Sequence, residues 1–540
     1  MPRWTMPRWT MPRWVMPRWV MLHWTKSPLK ITRARSLTEG WPGPCPRPYH
    51  SSASPTHLTK LHYPACLGVK RKYRTDYQSS QITPPKINNL LKANEYSYKV
   101  GGNSYDARSP ANWASGFDSN VLASNSPMED RRSAATCLQS RGVLLGVFDG
   151  HAGSACAQAV SERLFYYIAV ALLPLQTLLD MEEAVENERP VFPMLQWHKH
   201  PNDHVSTDAG KLYFSSLRTY WQERIDLEMH EEEQQERDVP KALVKAFRRL
   251  DNDISLEAQV DHREGGDPFS LFTPLRVALS GCTACVAHLD GPMLHVANLG
   301  DSRAVLGVQE DDGSWNALTI TNDHNANNPD ELQRVLSEHP AQERRTAVKH
   351  DRLLGLLMPF RAFGDVKFKW SGEMLSRIHE ARPEIQSLAS EFSKTLPPNY
   401  HTPPYLTAEP EVTRHRLRPR DKFLVLATDG LWELMHRQTV VQVIGEHLSG
   451  QRWQQPVSGA SSTTLGQMQR LLLERRSRAL WALEDDNTAT HVIRHALGGD
   501  GYGGVDPRRL AKMLSLPQDL SRMYRDDVTV TVIHLNSPDS

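Results

Sequence analysis

Val147-Phe148-Asp149-Gly150-His151-Ala152-Gly153 is the stretch on which the reading of this chain turns. A short apolar run over 143–148 stops at an acid, a glycine and a histidine. Apolar residues then recur at Ala155, Val160, Leu164 and Ile168, the spacing of one helical face. The pattern predicts strand, loop, helix, with Asp149 and His151 in the loop, where a rigid scaffold presents reactive groups.

Other carboxylates recur at similar places. Residues 277–308 read as two strands broken by the hairpin signal Asp290-Gly291, and they contain Gly300-Asp301-Ser302-Arg303. Residues 423–427 read as a buried strand, Asp429-Gly430 as a turn and 431–448 as a helix. Arg525-Asp526-Asp527 precedes a last strand, 528–535; Glu129-Asp130 precedes the first; Asp365 closes Arg361-Ala362-Phe363-Gly364-Asp365. Strands and helices mix without regular alternation, which predicts an α+β layered domain. Any one Asp-Gly alone is a turn. Several brought together would offer the oxygen ligands that hard divalent cations such as Mg2+ prefer.

The 540 residues, 39% hydrophobic and 23% charged, are enough to bury a large core. A formal net charge of +1 gives no overall field toward nucleic acid or an anionic membrane, so neither is expected as a partner. The longest apolar stretch, 164–175, is too short to span a membrane. The 6 cysteines are too scattered for a disulfide framework and suggest free thiols in a reducing compartment. Cys282 and Cys285 form a CxxC, yet three residues apart on a strand they face opposite ways, which predicts core thiols. The tract Trp197-His198-Lys199-His200-Pro201-Asn202-Asp203 lacks ligand spacing for a metal site.

Residues 1–20 are the pentads MPRWT, MPRWT, MPRWV and MPRWV, whose recurring prolines forbid a continuous helix. From there to residue 72 the chain is basic, rich in Ser, Thr and Pro, and carries few acids. Segment 1–72 therefore reads as a disordered, presequence-like region, with a later methionine such as Met21 an alternative start and a plain basic tail an alternative reading. Polar stretches near 180–240, 373–404 and 450–504 read as insertions in the folded part, 92–536.

Six blocks, in order, resemble the PPM, or PP2C-like, metal-dependent protein phosphatases. They are Met128-Glu129-Asp130, the opening stretch, Ser280-Gly281-Cys282-Thr283-Ala284, Gly300-Asp301-Ser302-Arg303, Asp429-Gly430-Leu431-Trp432 and Arg525-Asp526-Asp527. The resemblance implies a four-layer α/β/β/α sandwich with family-specific insertions and two Mg2+ or Mn2+ ions, with a weaker third ion. It implies that Asp149 bridges the pair, that the Gly150 carbonyl, Asp429 and Asp526 complete it, that Glu129 and Asp130 act largely through ordered water, and that Asp301 serves the third ion. Two such ions about 3.5–4 Å apart activate water for in-line attack at phosphorus, so no phosphoenzyme is expected. His151 is placed to protonate the departing serine oxygen.

Stretches such as Leu91-Lys92-Ala93-Asn94-Glu95-Tyr96 and Leu356-Leu357-Met358-Pro359-Phe360-Arg361 resemble the pyruvate dehydrogenase phosphatase branch of that family, nearer its second isoform. That narrower resemblance implies phosphorylated pyruvate dehydrogenase E1 as substrate, the lipoyl-bearing E2 core and a regulatory subunit as partners, and the mitochondrial matrix as location. One position departs from the wider family: Asn125 stands where an arginine grips substrate phosphate. An amide cannot replace a bidentate guanidinium, so Arg131 or Arg132 must reach in, or docking elsewhere must compensate. A family member for another phosphoprotein, or a pseudophosphatase scaffold, stay open as alternatives.

Overall fold

A computed structural model describes residues 82–99, 113–203, 210–230, 238–259, 273–381, 397, 399–449, 464–470, 485–500 and 504–536. The presequence-like segment 1–72 lies outside the described residues, as do parts of 373–404 and 450–504.

Two antiparallel sheets form the body. One contains, in spatial order, β1 (Tyr96–Lys99), β2 (Ala114–Leu122), β15 (Val528–Leu535), β14 (Asp421–Ala427), β8 (Arg303–Gln309) and β9 (Trp315–Thr319). The other contains β13 (Glu411–Arg416), β7 (Met293–Leu299), β6 (Gly281–Asp290), β4 (Val143–His151), β3 (Arg131–Cys137) and β5 (Leu195–Trp197), with β12 (Phe363–Gly364) also pairing to β6. A separate ribbon joins β10 (Val348–Lys349) to β11 (Arg352–Leu353).

The central strands read as continuous apolar runs because both their faces are covered, and the period of two sorts their side chains between layers. On β4, Val143, Leu145 and Val147 enter the core between the sheets, together with Leu424 and Leu426 of β14 and Ile533 of β15. Leu144 and Phe148 point the other way, onto the buried helices Ala155–Leu172 and Val239–Gln259. Phe423, Val425 and Ala427 of β14 pack against the helices Arg437–Ser449 and Thr488–Gly498. The result is helices, sheet, sheet, helices, the expected α+β sandwich.

Cys282 and Cys285 obey the same alternation. One lies in the outer core and the other between the sheets, both fully buried. His198 of the histidine-rich tract stacks on Tyr98 at 3.8 Å and pairs with Thr136 Oγ1 at 2.9 Å, a packing role. The apolar stretch 164–175 is core helix as far as Leu172 and then breaks at Leu173-Pro174 before the helix Leu175–Glu186, and among the described residues no single helix is long and apolar enough to cross a membrane.

Two expectations need correction. Residues 277–279, read as strand, end the helix Thr273–Leu279, a short apolar run in which strand and helix periods cannot be told apart. The helix read over 431–448 is two helices, Asp429–Trp432 and Arg437–Ser449. The stretch 180–240, read as an insertion, contains the helix Gly210–His230, whose Leu217, Tyr220, Trp221 and Ile225 join the outer core, with Tyr220 stacked on Tyr167 at 5.5 Å.

Candidate active site

The strand ends that carry acids all meet at one end of the sandwich, and the register shows why. Asp149, near the end of β4, lies opposite Thr283 of β6, and Arg131 at the start of β3 opposes Phe148. Across the sandwich, Ala427 at the end of β14 pairs with both Val530 of β15 and Arg303 of β8. Asp429, Asp526 and Asp301 sit just beyond those pairs, so antiparallel pairing delivers them together. Asp149, Asp301 and Asp429 each place a carboxylate oxygen within 4.8 Å of the others.

So many acids in one buried space repel. Burial, followed by the charge of Asp429, holds the Asp149 carboxyl well above the usual carboxylate range. Burial and Asp429 push Asp301 up to about 8, and burial and Asp526 push Asp429 up to about 6. Asp130, Glu129 and Asp526 are raised too, with burial the largest cause in each. Among the described residues, Asp429 Oδ1 is buried without a hydrogen-bond partner. A crowded set of hard oxygen donors with an unmatched buried oxygen fits a divalent cation such as Mg2+ or Mn2+.

The loop that brings Glu129 and Asp130 in is held by Asp527. Its carboxylate accepts from the backbone N–H of Asn125 at 2.8 Å and of Glu129 at 2.7 Å. Glu129 Oε1 in turn accepts from Gly153 N at 2.6 Å, tying this loop to the one after β4. Asp130 Oδ2 accepts from the hydroxyls of Thr428 and Thr529 at 2.9 and 2.7 Å. Gly150 and Gly430 are needed for close approach: a Cβ on Gly150 would lie 2.6 Å from Glu129 O, and one on Gly430 would lie 1.9 Å from Asp527 O.

His151 faces an acid from a distant part of the chain. Its Nε2 is 2.5 Å from Asp365 Oδ2, and its side chain is 26% exposed against 1% for Asp365. Burial alone would favour the neutral imidazole, but the charge and hydrogen bond of Asp365 outweigh it and raise the histidine pKa. Asp365 adopts a left-handed backbone at φ 50, held by Asp365 N donating to Ser280 O at 2.9 Å. Asp251 supports the same loop, accepting from Gly364 N and Lys369 Nζ at 2.8 Å each.

The three residues considered for the substrate phosphate, Asn125, Arg131 and Arg132, are otherwise engaged. Arg131 donates from Nε to Gln158 at 2.6 Å and from Nη1 to the Met128 and Asp130 carbonyls. Arg132, its side chain 7% exposed, turns to Asp203. Asn125 Nδ2 donates to Asp526 Oδ1 at 3.3 Å and to Asp527 Oδ2 at 3.2 Å. Sequence reasoning leaves Asp365 as one more acid at a strand end. The separation of 214 residues from His151 hides the pair, and nothing in local spacing signals it.

Comparison with known proteins gives this geometry a family. The model for protein phosphatase 2C matches residues 190–464. The orangutan (Pongo abelii) protein named mitochondrial pyruvate dehydrogenase (acetyl-transferring) phosphatase 1 is 63% identical over 470 residues, covering 86% of each chain. The chain belongs to the protein phosphatase 2C family. Human phosphatase 1 of the same name is 62% identical over 86% of each chain, and human phosphatase 2 is 50% identical over 85% of this chain and 84% of its own. The leaning toward the second isoform is thus corrected, since the first is the nearer of the two. Within protein phosphatase 2C the acids converging here belong to a phosphatase fold, and the four-layer sandwich is the family's.

Proposed function

We propose that this chain is a metal-dependent protein serine/threonine phosphatase of the mitochondrial matrix that removes phosphate from the E1 component of pyruvate dehydrogenase and so reactivates it. The observation that carries the chemistry is the meeting of Asp149, Asp301 and Asp429 within 4.8 Å. The substrate rests on the likeness to relatives named for it.

Asp149, the Gly150 carbonyl, Asp429 and Asp526 would hold two Mg2+ or Mn2+ ions, Glu129 and Asp130 would act through water, and Asp301 would serve a weaker third. Bound there, the ions supply an activated water and neutralise charge on the phosphoryl group. The remaining work falls to the chain's own side chains. His151 donates a proton to the serine oxygen as it leaves, and Asp365, 2.5 Å away, keeps that imidazole oriented and charged. Asp527 and the Thr428 and Thr529 hydroxyls fix the loops so that no donor must be reorganised during reaction.

With Asn125 bound to carboxylates, the phosphate loses the grip the family's arginine gives it. Binding energy must then come from elsewhere on the substrate, and docking to the lipoyl-bearing E2 core, alone or with a regulatory subunit, supplies it by raising effective concentration. The full chain should therefore act far better on the assembled phosphorylated complex than on p-nitrophenyl phosphate, measured as kcat/KM at saturating Mg2+. Equal efficiency on both would contradict the docking part of this reading.

A further inference from the structure

Asn125 leaves the site short of a guanidinium, and the structure brings one to the same carboxylate from another direction. Arg522 Nη1 lies 2.6 Å from Asp526 Oδ2, while Asn125 Nδ2 donates to Oδ1 of that carboxylate at 3.3 Å. The two side chains are thus one carboxylate apart. Arg522 stands four residues before Asp526, on the turn that follows the short helix Gln518–Ser521, so its approach is set by local backbone.

Other arginines around the site are held inward. Arg131 is tied to Gln158 and two carbonyls, and Arg132 to Asp203. Arg303 makes a two-point contact with Asp323 at 3.0 and 2.6 Å. Arg525, 9% exposed, donates to Ala123 O at 2.7 Å. Arg522 differs, with a side chain 55% exposed. Its neighbours Met523 and Tyr524 are exposed as well, at 77% and 60%, so the turn is open to an approaching protein.

We propose that Arg522 grips the phosphate of the substrate, in place of the arginine that Asn125 displaces. One Nη of its fork meets Asp526, which keeps the guanidinium at the edge of the acidic cluster. The other edge has no partner among the described residues and can donate to phosphoryl oxygens in the two-point geometry that arginine favours. The inference rests on the phosphatase reading above, and it also explains how that site can dispense with an arginine at position 125.

Inorganic phosphate is the probe. The full chain, loaded with saturating Mg2+, is titrated with phosphate by calorimetry, and phosphate is assayed as a product inhibitor, for wild type, Arg522→Ala, Arg522→Lys and Asn125→Arg/Arg522→Ala. Loss of a charge-assisted contact should weaken phosphate binding about 10- to 100-fold in Arg522→Ala. KM for both a phosphoprotein and p-nitrophenyl phosphate should rise with it, all read at saturating Mg2+ so that any change in ion affinity, measured separately, does not enter. Lysine should restore part of the affinity through charge without the fork, and the double variant should restore most of it. Phosphate affinity unchanged in Arg522→Ala overturns the proposal. So does a tightening of Mg2+ binding as its only effect, which would make Arg522 a counter-ion for Asp526. Absence of Mg2+-dependent hydrolysis in the wild type refutes the phosphatase reading instead, and the calorimetric comparison still decides the role of Arg522.

Discussion

Gly281→Ala tests the His151–Asp365 pair by geometry alone. A methyl group at Gly281 would sit 2.0 Å from His151 Nε2 and 2.3 Å from Asp365 Oδ2. Ordinary contact is about 3.5 Å, so one or both groups must retreat by more than about 1 Å. The two groups now lie 2.5 Å apart, and such a shift breaks their contact. A misplacement of about 1 Å costs roughly 100-fold in rate, and loss of a general acid costs about 100- to 10,000-fold. The variant should therefore lose at least about 100-fold in kcat on a phosphoserine protein. On p-nitrophenyl phosphate, whose leaving group needs no proton, the loss should be much smaller. The assay is initial-rate phosphate release at saturating Mg2+, with thermal melting and Mg2+ calorimetry to show that fold and ion binding persist. Asp365→Asn, which keeps the shape but removes the charge, should fall between wild type and Gly281→Ala. Activity within about threefold of wild type, or equal losses on the two substrates, would refute the reasoning.

Glu257 accepts two hydrogen bonds from Arg163, at 2.6 and 2.8 Å, inside the outer core. Glu257→Ala strands a buried charge and should cost about 3–5 kcal/mol in urea unfolding. Burial would raise the Asp485 carboxyl, but Arg494, in a two-point contact at 2.6 and 2.7 Å, holds it at about 2. A carboxylate depressed in the folded state stabilises it above its unfolded pKa, and that stability is lost as pH falls through the folded value. The contribution is about 2 kcal/mol, lost between about pH 4 and pH 2, and unfolding free energies for wild type and Asp485→Asn across that range should converge at the acid end. Burial pushes the Cys282 and Cys285 thiols up, so neither should be alkylated by iodoacetamide in the native chain, and both should react once it is unfolded.

Several strands at the heart of the sandwich were legible because they are apolar or β-branched runs with an acid at one end. Residues 528–535 are strand as read, and 423–427 lie within β14. The acids that converge, Asp149, Asp301 and Asp429, were legible for the same reason, since strand ends announce themselves. Short apolar runs such as 277–279 were not, because three residues cannot distinguish one period from another. Pairings across long separations were also hidden. Asp527 as the hub of the 125–130 loop and Asp365 beside His151 depend on which strand end lands next to which. Only the pairing of β15 with β2, and of β4 and β12 with β6, determines that.

The most direct measurement is phosphate release from phosphorylated pyruvate dehydrogenase complex by the full chain, with Mg2+, with EDTA, and with Asp149→Asn in Mg2+. Release with Mg2+ that is abolished by EDTA, and reduced by about 100-fold or more in the variant, is the predicted result. Release that persists in EDTA or in Asp149→Asn would contradict the account of the acidic cluster as the place where the reaction is driven.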